Sequence, residues 1–117
     1  MPAYGAPVHA VYPGDKVTMW DGTETAAEGL ESVAVGRGFG PGGDVGISFF
    51  VTGLPSDAEI TIECAANDVD AEYTPCGTIG PDANGNGSYT DIGRAQFYRA
   101  VLSTYASGDM PGLVATR

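Results

Sequence analysis

The feature that most constrains this chain is a period-two alternation of apolar and polar residues in short runs, each cut off by turn residues. Side chains alternate between faces only in a strand, so such runs are half-buried strands. The strongest spans Val45 to Thr52, with Ile47, Phe49 and Val51 on one face. Ala58 to Cys64 sets Ile60, Ile62 and Cys64 against Glu59, Thr61 and Glu63. Earlier runs are Val8 to Tyr12, ended by Pro13-Gly14-Asp15, Lys16 to Trp20, ended by Asp21-Gly22, and Glu31 to Val35. Thr23 to Leu30 carries the only candidate helical turn. After Ala65 to Asn67, Val69, Ala71 and Tyr73 alternate with acids. Ser88 to Ile92 and Ala95 to Ala106 read as a last pair, with Leu113 to Thr116 a short terminal strand. About eight strands without a long helix predict an all-β fold with sequential antiparallel pairing. Two such sheets face to face make a single antiparallel β-sandwich, Ig-like or jelly-roll, with a small β-barrel as the alternative. The 117 residues make one domain over 1–117, with 1–14 a candidate extended N-terminal arm.

Charge narrows the function. Fifteen acids against five bases give a formal net charge of −10. That surface repels phosphate, so nucleic acid and anionic membrane are not expected partners. It favours solubility and a neutral or basic partner. No run approaches the ~20 apolar residues of a membrane span. The segment MPAYGAPVHAVYPG lacks a basic leader and an apolar stretch, so no signal peptide is expected and synthesis in a cytoplasm is.

Candidate sites are few. If Cys64 lies opposite Val69, Cys76 sits seven residues further along. At ~3.3 Å per residue that is roughly 23 Å, beyond the ~7 Å reach of a disulfide, so two unpaired thiols are expected. Asp82, Asn84 and Asn86 place oxygens at positions 1, 3 and 5 of a calcium-type loop, with Gly87 at position 6. The acid due at position 12 is replaced by Gly93, and Asp91 is the candidate substitute ligand. Repeated Asn-Gly is equally a hairpin-turn signal. The readings are therefore a plain turn, with no cofactor, or a calcium site at Asp82, Asn84, Asn86 and Asp91. Asn86-Gly87-Ser88 matches a glycosylation sequon, a chance match without a signal peptide. Gly38, Gly40 and Gly43 satisfy a dinucleotide spacing, but a strand follows where a helix is required, which predicts a surface loop. Glu59, Glu63, Asp68, Asp70 and Glu72 form an acidic row, either a cation cluster or a solvated sheet face. His9 is the only histidine and no nucleophile motif is present, so no catalytic residues and no enzymatic activity are expected.

The segments VGISFFVTGLPSDAEITIECAANDVDAEYTP and GNGSYTDIGRAQFYRAVLSTYASGD resemble small structural proteins encoded in tailed-bacteriophage genomes. The likeness lies in the T-G-L-P turn, the AEITIE strand and the aromatic FYRAVL strand. It implies a non-enzymatic virion component, made in the host cytoplasm: a capsid decoration (cement) protein bound to the major capsid protein or another virion protein. A homotrimer is the candidate assembly. Tyr4, Tyr12 and Phe39 are the candidate partner-binding aromatics. The alternatives are a phage tail or fibre module contacting the host, or a free carbohydrate- or ligand-binding sandwich. A sugar platform would draw on Trp20, Tyr73, Tyr89, Tyr98 and Tyr105.

Overall fold

In a computed structural model, residues 9–37, 46–92 and 95–117 are described. Among the described residues, nine strands fall in chain order: β1 His9–Val11, β2 Lys16–Asp21, β3 Val35–Arg37, β4 Ile47–Thr52, β5 Glu59–Ala65, β6 Thr74–Ile79, β7 Gly87–Asp91, β8 Phe97–Thr104 and β9 Gly112–Thr116. They form a β-sandwich of two sheets, ordered β1-β3-β8-β5-β6 (sheet A) and β2-β9-β4-β7 (sheet B). All pairings are antiparallel except β1 with β3, which runs parallel.

The alternation read from sequence sets the core. Ile47, Phe49 and Val51 point inward from β4, and Ile60 and Ile62 from β5. In sheet A the inward rows run Leu102–Ile60–Ile79 and Ala100–Ile62–Gly77. In sheet B they run Val17–Ala115–Phe49–Tyr89 and Trp20–Leu113–Val51–Gly87. The Phe49 and Tyr98 rings meet between the sheets, 5.5 Å apart and tilted at 52°, a geometry that adds about 0.5–1.5 kcal/mol to plain burial.

Four expectations about local structure are corrected. The alternation at residues 68–73 is not a strand: Asp70–Glu72 is a 3-10 turn. Its side chains bond locally, Tyr73 to Asp68 at 2.7 Å and Asn67 to Glu72 at 2.9 Å, which favours a turn over a ladder. The strand starts later, at Thr74, on the edge of sheet A, where Pro75 is tolerated. Residues 88–92 and 95–106 do not pair with each other. β7 pairs with β4 in sheet B, and β8 with β3 and β5 in sheet A. β8, buried or half-buried along all but its last residue, takes the centre of its sheet, whereas β7, alternately exposed and half-buried, accepts an edge.

Most strand pairings are not sequential, and only β5 and β6 are neighbours in both chain and sheet. The Thr23–Leu30 region forms no helix. Instead the chain from Gly29 to Ser32 hydrogen-bonds along β8, Gly29 N–H to Leu102 O, Leu102 N–H to Leu30 O and Ser32 N–H to Ala100 O, each at 2.8 Å. The terminal strand β9 is central in sheet B, between β2 and β4. Of the 1–14 segment, His9–Val11 is β1 in sheet A with Val11 buried, and residues 1–8 lie outside the described residues.

Candidate functional site

The same alternation that buries one face of sheet B exposes the other. Across the strands, outward rows run Thr18–Val114–Phe50–Ser88, Lys16–Thr116–Ser48–Thr90 and Asp21–Gly112–Thr52. Ser48 and Thr90 hydroxyls bond at 2.7 Å. Lys16 and Asp21 are the only charges in these rows, on a chain of net −10. Phe50 sits on an interior strand of the sheet yet is 46% exposed. Beside it lies an open groove of about 370 Å³, bordered by Lys16, Thr18, Phe50, Thr52 and Val114. Two features shape it. Gly112 carries no side chain between Thr52 and Asp21, and a bulge between Thr18 and Trp20 bends β2. The arrangement offers one large apolar anchor among short hydroxyls, with Lys16 and Asp21 also lining the groove.

The sequence-predicted sites fall elsewhere. Asp82 Oδ1 accepts from the backbone N–H groups of Asn84 (2.8 Å) and Asn86 (3.0 Å), and Gly85 N–H donates to Asp82 O at 3.1 Å. Gly85 takes φ +78°, the left-handed region that suits glycine. The Asn86 and Asn84 bonds hold the Asp82 carboxyl below its ordinary 3.8. Asp82, Asn84 and Asn86 thus share one tight turn, whereas Asp91 lies at the far end of β7, bonded to Tyr98. Tyr12 is 49% exposed, in the turn between β1 and β2, with its N–H on Asp15. Tyr4, Phe39 and the glycine segment 38–43 lie outside the described residues. Trp20, Tyr73 and Tyr98 are buried, so the five aromatics considered for sugar binding form no exposed platform.

The acidic row resolves into a buried ion-pair centre that the pattern did not reveal. Arg99, on β8, is 6% exposed. Its guanidinium meets Glu63 at 2.6 Å, Asp70 at 2.5 Å and Glu31 at 3.2 Å, and lies 4.2 Å from the Tyr73 ring centroid. Asp68 accepts from Tyr73 and Glu72 from Asn67, and Glu59 is exposed. Among the described residues, no group of three or more His, Cys, Asp or Glu is placed to hold a metal ion. The one legible signal was a lone arginine inside an apolar run, FYRAVL, opposite the acids of β5.

A second polar centre closes the β6–β7 side. Arg37 donates to Tyr98 Oη at 2.7 Å, and Tyr98 donates to Asp91 at 2.5 Å. Tyr89 donates to Cys76 O at 3.0 Å, with a longer 3.4 Å contact to Asp91. Burial first, then the Asp91 bond, raises Tyr98 well above 10.0, against the opposing pull of Arg37. Burial and the neighbouring Cys76 and Asp91 push Tyr89 up to about 12.

The pairing of β5 with β6 overturns the expected cysteine separation. Cys64 is opposite Thr74, not Val69, and the bulge between Ile62 and Glu63 brings Cys76 alongside. Both thiols are free. Compared with known proteins, the chain matches no family model, and neither a curated protein nor a solved structure is significantly similar to it.

Proposed function

We propose that this β-sandwich is a non-enzymatic virion structural protein, a capsid decoration protein that docks on the major capsid protein lattice. The observation that carries the reading is the outward face of sheet B: Phe50, exposed on an interior strand, ringed by Thr18, Ser48, Thr52, Ser88, Thr90 and Val114. An aromatic anchor within a rim of short polar side chains is the composition of a protein-binding hot spot. The charge distribution supports the same use. This face is almost uncharged while the chain carries −10, so docking on it desolvates few carboxylates, and the acids elsewhere keep unbound copies apart. The groove is open and at the small end of ligand pockets, about 300–1,000 Å³, which favours a protein surface over an enclosed small molecule. The phage assignment itself rests on the sequence resemblance.

Co-sedimentation with undecorated capsids tests the reading. Saturable binding at a fixed ratio to the capsid subunit, lost in Phe50→Asp, is the expected result. A monomer that does not bind would overturn it in favour of a tail or fibre module.

A further inference from the structure

The geometry points to an oxidative modification site: Cys64 on β5 and Cys76 on β6 are placed to form an intramolecular disulfide that staples the edge strand of sheet A to its neighbour. Cys64 pairs with Thr74, and Cys76 is the extra residue between the pairs Glu63–Pro75 and Ile62–Gly77. In a regular ladder a diagonal neighbour lies ~7–8 Å away, at the limit of disulfide reach. A bulge puts two residues opposite one and locally re-aims a side chain. Here both half-buried thiols pack against the same main core cluster, and so lie on the same side of the sheet. Tyr89 holds the Cys76 carbonyl at 3.0 Å, which fixes the bulge.

The site also has a way in. β6 is an edge strand, and both cysteines are half-buried rather than sealed. Burial first, and then Cys64 beside it, push Cys76 up to about 12, so Cys76 is not the thiol that starts exchange. With a low-molecular-weight disulfide such as oxidised glutathione, the Cys64 thiolate attacks one glutathione sulfur. The glutathione S–S bond breaks and one glutathione leaves as its thiol. Cys76 then gives its proton to solvent, attacks the Cys64 sulfur and expels the second glutathione. In balance, two protein thiols and one glutathione disulfide become one protein disulfide and two glutathione thiols.

The test uses the native protein in graded ratios of oxidised to reduced glutathione. Samples are quenched in acid, alkylated after denaturation, and read by intact mass and peptide mapping. The expected product has lost two hydrogens, takes no alkyl label and joins the Cys64 and Cys76 peptides. Cys76→Ser should stop at a glutathione adduct on Cys64. The native fold should favour the disulfide over the urea-unfolded chain by roughly 100-fold in glutathione ratio, the loop-closure effect for a loop of this order. Two alkylated thiols, cross-linked dimers, or no preference of native over unfolded chain would overturn the proposal.

Discussion

Replacing Arg99 with methionine removes the cation on which three carboxylates converge. Glu63 is the partner that matters most: its side chain is 17% exposed, and the contact is 2.6 Å. Stripping the counter-charge from a fully buried partner costs about 3–5 kcal/mol. Glu63 retains some solvent, so the low end applies. Glu31 and Asp70 are 34% and 68% exposed and add at most about 1 kcal/mol together. Methionine keeps apolar contact with the Tyr73 ring, which limits the packing loss. The expected destabilisation is therefore about 3–4 kcal/mol, a large part of the ~5–15 kcal/mol that holds a domain of this size. Urea unfolding followed by fluorescence of the single, buried Trp20 measures it directly. The midpoint should fall with an unchanged slope. Arg99→Met/Glu63→Gln should regain about half of the loss, because the stranded charge is gone. A loss below about 1 kcal/mol, or no recovery in the double variant, would refute the assignment of Arg99 as a desolvated ion-pair centre.

Gly77→Ala should cost about 1–3 kcal/mol, since the added Cβ would sit 2.4 Å from Tyr89 Cε1, and Gly77→Ala/Tyr89→Leu should recover part of it in the same assay. Cys76, Tyr89 and Tyr98 all have raised values in the folded state, so the unfolded chain sheds these protons first, from about 9 to 10. Their contribution is complete below that range and declines as pH rises towards 12, which urea midpoints and tyrosinate absorbance would follow; Tyr98→Phe should flatten the decline. Asp21, held low chiefly by the Thr23 hydroxyl, and Asp82 act in the opposite direction. Their contribution is present above 3.8 and lost as pH falls through the folded values, and Asp82→Ala should remove its share from an acid titration. The oxidised Cys64–Cys76 form should resist urea by about 3 kcal/mol more than the reduced form.

The strands whose alternation buries one face were legible because period two leaves no alternative register: β4 and β5 fall where Ile47, Phe49, Val51, Ile60 and Ile62 require. Their neighbours were not. Alternation says which side of a strand is buried but not which strand lies beside it, so β9 in the centre of sheet B and β7 apart from β8 could not be read from local pattern. The 68–73 segment misled because acid–apolar alternation also suits a turn whose acids are bound locally or by a distant arginine. That one displacement shifted the β5–β6 register and hid the meeting of the two thiols. The docking face was written in the same residues as the core. Phe50 is simply the out-of-phase aromatic in Ile-Ser-Phe-Phe-Val, and only the pairing places it on an interior strand, where it is nonetheless exposed.

Docking is tested most directly by co-sedimentation of the wild-type protein and Phe50→Asp with undecorated phage capsids, with circular dichroism confirming that both are folded. Docking through the sheet B face predicts saturable, stoichiometric binding of the wild type and little or none of the variant. Equal binding by the two would contradict the assignment of the sheet B face, and no binding by either would contradict the decoration role.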